Sequence, residues 1–438
     1  MKREKCMSKT KVNEMKIFLG AISLALSLGL VVPFGYTATR EVGAGRAYST
    51  IQAAVTDAQP GDTVLVNAGT YSESVSTERD GAHGKRITIK AGGKVVLRGG
   101  FNIKHSYISI DGFEITASGG NAIFVDRDAN YCEILNNNIH DFGPYRAIYM
   151  PKKVKVPAHF APTGCLIKGN WIHGSKAAKV YIALTGINHI IEDNEIGPGV
   201  IIEDAFRPFG DNHVIRNNYI HDVKSGGGHT DVFQIFGVNN WRVRNLVFEK
   251  NTIINWKGQP WMADCTPDSG IITIRNNIFQ NIRGAGISYC PQTRVYNNVF
   301  HETGYGKIGK AIFIRSRSPR GSGEHSEVRN NIFSRTGGYR GGWYSVAQGA
   351  RSTFKGDHNL VFPRRRGFRE AHGINGKDPL FMNPSTGDFH LQSGSPAINS
   401  GTTLTGFNDD KDGKIRSDIW DIGPYEYYGS ASTSPPRK

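Results

Sequence analysis

Short stretches of alternating apolar and polar residues, separated by Gly, Asn and Asp, run along most of the chain. Residues 271–274 and 311–314 are typical, because each has the length of a β-strand and alternates in side-chain character. The residues between such stretches accept turn and left-handed backbone conformations. No part of this region shows the period of a sustained amphipathic helix. The pattern therefore predicts many short strands joined by tight turns.

An Asn, often the second of an Asn-Asn pair, recurs eight times along these strands. The steps between copies are 32, 24, 24, 33, 26, 21 and 33 residues. A period near 24 residues is typical of a solenoid, whose coils bury their apolar side chains only by stacking. We predict that the Asn side chains form a ladder of hydrogen bonds inside the stack. The copies are Asn138, Asn170, Asn194, Asn218, Asn251, Asn277, Asn298 and Asn331.

Both ends of this region resemble a known superfamily. Residues 48–55 (YSTIQAAV) and 60–71 (PGDTVLVNAGTY) resemble the start of right-handed, pectin-lyase-like parallel β-helices. The resemblance implies a short amphipathic helix that caps the first coil. Residues 387–391, 395–398 and 421–427 resemble the terminal segment of many secreted members. We predict an all-β, right-handed parallel β-helix of nine to eleven coils, with an N-terminal capping helix and an irregular C-terminal cap.

The beginning of the chain resembles an export signal. Lys9, Lys11 and Lys16 precede an uncharged apolar stretch at 17–32, and small residues follow it. This stretch is short for a membrane span, so a signal anchor is the alternative and we expect no stable span after signal removal. A secreted, periplasmic or cell-surface protein is the prediction. The predicted segments are a signal peptide at 1–38, the β-helix at 39–362, a capping segment at 363–428 and a disordered tail at 429–438.

Four cysteines fall at matching places in neighbouring coils. Cys132 and Cys165 each lie five residues before a repeat Asn, and Cys265 and Cys290 lie 25 residues apart. Equivalent positions in adjacent coils are about 4.8 Å apart, which a disulfide can span. We predict the bonds Cys132–Cys165 and Cys265–Cys290, with two pairs of buried free thiols as the alternative. Without a Cys-x-x-Cys spacing, a zinc site is not expected.

Charge narrows the class of partner. The formal net charge is +15, and residues 315–369 hold eleven Arg and one Lys against three acidic residues. Such a surface concentrates polyanions. The exported destination argues against nucleic acid, so we predict an acidic polysaccharide such as pectate, alginate or a glycosaminoglycan, bound by a monomer. A merely solvated basic surface is the alternative.

Candidate chemistry lies where successive coils present polar side chains in one row. Laying residues 226–237 over 203–210 places Asp231 on Asp204 and Gln234 on Arg207. His229 lies two residues before Asp231, so both side chains point to the same side of a strand. The predicted catalytic residues are His229, Asp231, Arg207 and Tyr289. The predicted substrate-binding residues are Gln234, Trp256, Trp261, Arg315 and Arg317.

A polysaccharide lyase is the favoured reaction class. Its base removes the proton next to a uronate carboxylate while cations or donors stabilise the developing charge. Resemblance to β-helix lyases implies Ca²⁺ at stacked carboxylates, for which Asp204, Asp231 and Asp264 are the candidates. Lysine is scarce in the row, so Arg or His would have to act as the base.

Three other functions remain open. A hydrolase would use two of the carboxylates on either side of a glycosidic bond, and a C5-epimerase would return the abstracted proton to the opposite face. The sequence lacks the Asp-Pro-His-Asp/Glu motif of alginate epimerases, and it lacks the complete set of Asn-Thr-Asp, Asp-Asp and Arg-Ile-Lys that is associated with polygalacturonases. A glycan-binding or surface β-helix without catalysis is the third alternative.

Overall fold

The chain winds into a parallel β-solenoid of about 12 turns. The computed structural model describes residues 37–117, 119–151, 162–236, 243–266, 269–306, 309–317, 321–337 and 342–429. The predicted fold class is confirmed, with more coils than expected because the first and last coils lack the Asn pair. The predicted signal peptide at 1–38 and the predicted tail at 429–438 lie almost entirely outside the described residues. No helix within these ranges has the length and apolar character needed to cross a membrane.

Successive coils contribute strands to three parallel sheets, A, B and C. In sheet C, one coil contributes three short strands that all pair with Gly199–Asp211. Sheet A contains Thr39–Val42, Thr63–Val66, Ile87–Ala91, Ile108–Asp111, Glu133–Leu135, Leu166–Lys168, Ile190–Glu192, Val214–Arg216, Leu246–Glu249, Ile272–Arg275, Thr293–Tyr296, Glu327–Arg329 and Lys355–Asp357. Sheet B contains Gly69–Tyr71, Val95–Leu97, Glu114–Ile115, Asn138–Ile139, Trp171–Ile172, Glu195–Ile196, Tyr219–His221, Thr252–Trp256, Ile278–Ile282, Val299–Thr303, Ile332–Ser334, Leu360–Phe362 and Ile374–Asn375. Sheet C contains Val75–Ser76, Phe101–Ile103, Ile123–Val125, Arg146–Tyr149, Ala178–Ile187, Gly199–Asp211, Val223–Ser225, Asp231–Phe236, Val243–Arg244, Gln259–Asp264, Gly286–Ser288, Ile312–Ile314 and Tyr344–Val346.

The remaining elements are short. Two antiparallel pairs join Ser316–Arg317 to Gly321–Ser322 and Phe381–Asn383 to Asp388–Leu391. Single 3₁₀ turns lie at Gln348–Ala350 and Pro384–Thr386.

The predicted capping helix spans Ile51–Asp57. It begins after Thr50, whose hydroxyl oxygen accepts the N–H of Ala53 at 3.3 Å. The carboxylate of Glu73, from the first coil, accepts the N–H groups of Ile51 and Gln52 at 2.9 and 3.0 Å. The helix therefore has its free N-terminal donors satisfied by the coil that it covers.

The Asn ladder exists and is buried. Each side-chain amide donates to the side-chain oxygen of the next Asn, over distances of 2.9 to 3.2 Å. The first member is Asn137 and not Asn138, because Asn138 is the first residue of a sheet B strand. Asn359 adds a ninth member. Each Asn oxygen also accepts the backbone N–H of the ladder residue one coil earlier, so the ladder satisfies buried amides at the bend between sheets A and B.

Because Asn137 belongs to the ladder and Asn138 does not, their replacement should have different effects on the free energy of unfolding. Asn137→Ala should lower the free energy of unfolding by about 3 kcal/mol, since it removes several buried hydrogen bonds and leaves Asn170 without one partner. Asn138→Ala, at a half-buried position, should cost less than about 1 kcal/mol. Denaturant unfolding of both variants checks the difference, and equal losses would contradict the assignment.

The C-terminal segment packs along the side of the stack. Phe381, Phe389 and Tyr425 form an apolar cluster with residues from the outer face of sheet B. Further along, Asn276 donates to the carbonyl of Asp409 at 2.9 Å. The segment therefore covers the outer face of sheet B over the last coils. The sheet B residues that it covers are Ile278, Val299, Ile332 and Leu360.

One of the two predicted disulfides is present. Cys265 and Cys290 are bonded, with their Cα atoms 4.7 Å apart. Cys132 and Cys165 are buried free thiols instead. Their Sγ atoms lie 3.3 Å from the carbonyl of His105 and 3.6 Å from that of Ala129, respectively. The open alternative of stacked free thiols therefore holds for this pair.

Candidate functional site

Three oxygen-bearing side chains from successive strands of sheet C share one register position. Asp204 pairs with Asp231, as predicted, and Asp231 pairs with Gln259 of the next coil. Adjacent strands are about 4.8 Å apart, so the three side chains form a continuous column. We call Asp204, Asp231 and Gln259 the oxygen column.

The oxygen column is buried and short of hydrogen-bond donors. Oδ1 of Asp204, Oδ1 of Asp231 and Oε1 of Gln259 are buried, and none accepts a hydrogen bond from the described residues. Burial raises the pKa of Asp204 to about 7, with the charge of Asp231 acting in the same direction. Burial also raises the pKa of Asp231. The column therefore lacks the positive charge that two buried carboxylates need.

Arg207 partly supplies that charge from one side. Its Nε donates to Oδ2 of Asp204 at 2.7 Å, and its Nη1 lies 2.6 Å from a carboxylate oxygen of Glu203. Its Nη2 also donates to Oε1 of Gln234 at 3.2 Å, which matches the predicted register. These contacts hold the guanidinium in place, so Arg207 orients Asp204.

His229 connects the oxygen column to solvent. Its Nδ1 lies 2.8 Å from Oδ2 of Asp231, while its side chain is 54% exposed. The hydrogen bond to Asp231 raises the pKa of His229 against an opposing effect of burial. The pair thus consists of a buried carboxylate and an accessible imidazole, an arrangement that orients a proton-transfer group.

A depression of about 350 Å³ opens beside this pair. Two exposed cations, Lys257 and Arg283, line it together with His229, Asp231 and Gln259. The rest of the wall is small residues, namely Ser225, Gly228, Thr230, Gly258, Gly284 and Gly306. A Cβ at Gly258 would lie 1.7 Å from the carbonyl oxygen of Thr230, so only glycine fits there. The depression can bind an anionic group next to an imidazole.

Sequence reasoning missed both cations, although a signal was present. Trp256 pairs with Ile282 in sheet B, so the residues that follow them, Lys257 and Arg283, lie on adjacent coils. Each comes six residues after a ladder residue, Asn251 or Asn277. Counting from the ladder would have placed them at the same bend, beside the start of the sheet C strands.

Asp264 does not join the other two carboxylates. It pairs with Phe236, whereas Gln259, five residues earlier, pairs with Asp231. Five residues of an extended strand span about 16 Å, so Asp264 is too far away to share a ligand with Asp204. Gln259 and His229 take its place, and the side-chain atoms of Asp204, Asp231 and His229 lie within 4.8 Å of one another.

The remaining predicted residues lie elsewhere. Tyr289 follows the strand Gly286–Ser288 at the far end of sheet C, where it is nearly buried and its Oη accepts a bond from Nε of Arg315 at 3.2 Å. Trp256 and Trp261 are fully buried core residues, so neither indole offers a face to a sugar ring. Arg317 lies in the strand Ser316–Arg317, and its side chain is outside the described part.

Comparisons with known proteins agree with the fold. Residues 158–333 match the family described as "Right handed beta helix region". Two similar solved structures are a pectate lyase, Pel9A (TM-score 0.56, 14% identity, 90% of this chain and 97% of that chain), and XylC in complex with xylose (TM-score 0.59, 13% identity, 88% and 98%). No curated protein matches the sequence significantly. At such low identity the likeness concerns the fold alone: the chain is a right-handed parallel β-helix.

Proposed function

We propose that the protein is a secreted lyase that cleaves an acidic, uronate-containing polysaccharide by β-elimination. The observation that carries the proposal is the depression in which the His229–Asp231 pair lies beside Lys257 and Arg283. It combines an oriented proton-transfer group with two cations for a carboxylate. A polymer could reach this depression because it opens on the side of the solenoid.

The residues have distinct roles in this reaction. His229 takes the C5 proton next to the uronate carboxylate, with Asp231 holding the ring through Nδ1. The C–H electrons form the C4–C5 double bond, the C4–O bond breaks, and the leaving oxygen receives a proton from water. Lys257 and Arg283 bind the carboxylate, whose negative charge grows as the proton leaves.

A divalent cation fits the oxygen column. The donors are two carboxylates and one amide oxygen, which are hard ligands of the kind that Ca²⁺ prefers, and three of their oxygens are buried without donors. Asp204, Asp231 and Gln259 would hold the ion. When bound, it would add positive charge beside the uronate carboxylate.

Three further observations support this assignment. Pel9A is described as a pectate lyase and XylC was solved with xylose, so chains of this length and fold handle carbohydrates. The Arg-rich stretch 315–369 attracts a polyanion. The Cys265–Cys290 disulfide is typical of an oxidising compartment, in keeping with secretion.

The first test is an ultraviolet assay for unsaturated uronate with pectate, alginate and a glycosaminoglycan as substrates. We expect one substrate to give a rising signal that Ca²⁺ supports and a chelator abolishes. Arg283→Ala should lower kcat/KM by about a hundredfold, because it removes a cation from the developing charge. Arg46→Ala, a matched change at an exposed arginine outside the Arg-rich stretch, should have little effect. A flat signal with every polymer would contradict the proposal.

A retaining hydrolase is the second candidate, favoured by one observation. Asp204 and Asp231 lie on adjacent strands, and a separation of about 5 Å suits the two carboxyl groups of a retaining enzyme. Both carboxyl groups are completely buried, however, while a hydrolase must bring them to the glycosidic bond. New reducing ends without unsaturated product would favour this alternative.

A further inference from the structure

On the outer face of sheet B, the residues at one register position of successive strands change in type along the solenoid. Ile278, Val299, Ile332 and Leu360 occupy it in the last coils, where the C-terminal segment covers them. In the preceding coils the same column holds Trp171, Glu195 and Tyr219. Thr252 lies between these two groups, because it pairs with Tyr219 on one side and with Ile278 on the other. The face is therefore aliphatic where it is covered and aromatic and polar where it is open.

The two aromatic residues are exposed and held in place. Trp171 is 41% exposed and Tyr219 is 42% exposed. The indole of Trp171 stacks on His173 with ring centroids 3.7 Å apart, and its Nε1 donates to the carbonyl of Gly197 at 3.1 Å. Tyr219 stacks on His221 at 4.5 Å. Because both rings are fixed before any ligand arrives, binding to them costs little side-chain entropy.

The spacing of this surface matches a polymer of sugars. Trp171 and Tyr219 are two coils apart, which corresponds to about 10 Å and is comparable to the length of a disaccharide in an extended chain. Glu195 lies between the rings and can accept hydrogen bonds from hydroxyl groups. Aromatic faces pack against the C–H faces of pyranose rings, as they do against other apolar groups.

The charge of the surface limits the kind of polymer. Carboxylates of Glu114, Asp141, Glu195 and Asp222 lie along it, each within ion-pair distance of His140 or His221, and Glu114 also lies 3.6 Å from Nζ of Lys94. This is the opposite of the depression on sheet C, which holds Lys257 and Arg283. Because the charged groups of this surface are paired with one another, it suits an uncharged sugar chain better than a polyanion.

We propose that the open part of sheet B, centred on Trp171, Glu195 and Tyr219, is a second binding surface for an uncharged polysaccharide running along the solenoid axis. It would hold the protein on a neutral matrix while the depression on sheet C acts on a different, acidic chain. None of the residues of this surface is assigned to the reaction. Binding at this surface can therefore be tested independently of the proposed lyase activity.

Affinity gel electrophoresis of the full-length protein tests this surface. The gels contain hydroxyethyl cellulose, arabinoxylan, galactan or, as the acidic comparison, pectate. We expect at least one neutral polymer to retard the protein, and Trp171→Ala with Tyr219→Ala to weaken that retardation about tenfold or more. Trp171→Phe with Tyr219→Phe should retain most of it, because a ring face remains at both positions.

A matched control removes an equally exposed aromatic residue elsewhere. Tyr131 is 41% exposed and lies in a turn with φ of 55°, which Asn tolerates. Tyr131→Asn should leave the retardation unchanged. Each variant is first checked for an unchanged thermal midpoint. The inference is overturned if no neutral polymer retards the wild type, or if the double alanine variant binds as well as Tyr131→Asn.

Discussion

Asp231→Asn should lower kcat for uronate elimination by about 10³-fold to 10⁴-fold, the loss expected when the carboxylate that orients a catalytic histidine becomes an amide. In this protein Oδ2 of Asp231 lies 2.8 Å from Nδ1 of His229, and Asp231 is completely buried. An amide can present an N–H to the ring and so select the wrong tautomer. His229→Ala should cost a similar factor, because the proton-transfer group itself is lost.

Asp264→Asn is the matched control for this prediction. The sequence pattern placed Asp264 in the same polar row, but in the structure it lies beside Phe236, at the other end of its strand. Its replacement should leave kcat within about threefold of the wild-type value. Steady-state kinetics on the substrate identified by the ultraviolet assay make the comparison. Similar losses in Asp231→Asn and Asp264→Asn would show that the reaction does not centre on the His229–Asp231 pair.

When the pH is lowered from about 6.5 to 3, the free energy of unfolding should fall by about 5 kcal/mol because of His213 alone. Burial and the neighbouring His189 lower the pKa of His213 from 6.5 to about 3 in the folded protein. In that pH range His213 binds a proton in the unfolded chain but stays neutral in the folded chain. Stability therefore rises with pH across this window and is lost as the pH falls.

The hydrogen bonds of His213 explain why it stays neutral. Its Nδ1 accepts the backbone N–H of His189 at 3.3 Å, and its Nε2 donates to the carbonyl of Phe209 at 3.0 Å. His189 repeats the pattern one coil earlier, accepting from the N–H of Cys165 at 3.1 Å. Protonation at Nδ1 would destroy an acceptor and place a charge in the core.

Unfolding measured as a function of pH checks the prediction. His213→Gln can keep both hydrogen bonds and has no titrating group, so its stability should change much less between pH 6.5 and pH 3. His83→Gln, at an exposed position, should retain the wild-type pH dependence. An unchanged slope in His213→Gln would contradict the assignment of acid sensitivity to this residue.

The carboxylate pair could be predicted because a solenoid turns sequence spacing into position. Once the repeat was recognised, laying one coil over the next placed Asp231 on Asp204 and Gln234 on Arg207, and the structure shows both contacts. The same procedure failed for Asp264. Aligning the coils shows which coil a residue belongs to. Where the start of a strand is uncertain, however, the alignment can be wrong by several residues, and each residue of error moves a side chain by about 3.3 Å.

Residues at bends and in the core were harder to assign. Lys257 and Arg283 follow sheet B strands, so no strand pattern pointed to them, and only the bend brings them to the depression. Trp256 and Trp261 were expected at a sugar-binding surface, but their large apolar rings fill the interior. A short apolar segment does not reveal which of its two faces is buried until the adjacent sheets are in place.

The repeat of Asn and short strands by itself determined a stacked parallel β-helix with a buried amide ladder, because each coil must use its neighbours to satisfy its amides and bury its apolar side chains. The capping helix could likewise be predicted from the sequence of residues 48–57. Tertiary structure alone decided that Gln259, and not Asp264, lies beside Asp231, which cations reach this site, and that the C-terminal segment leaves Trp171 and Tyr219 uncovered. These outcomes depend on strand offset and on long-range packing, which local sequence does not encode.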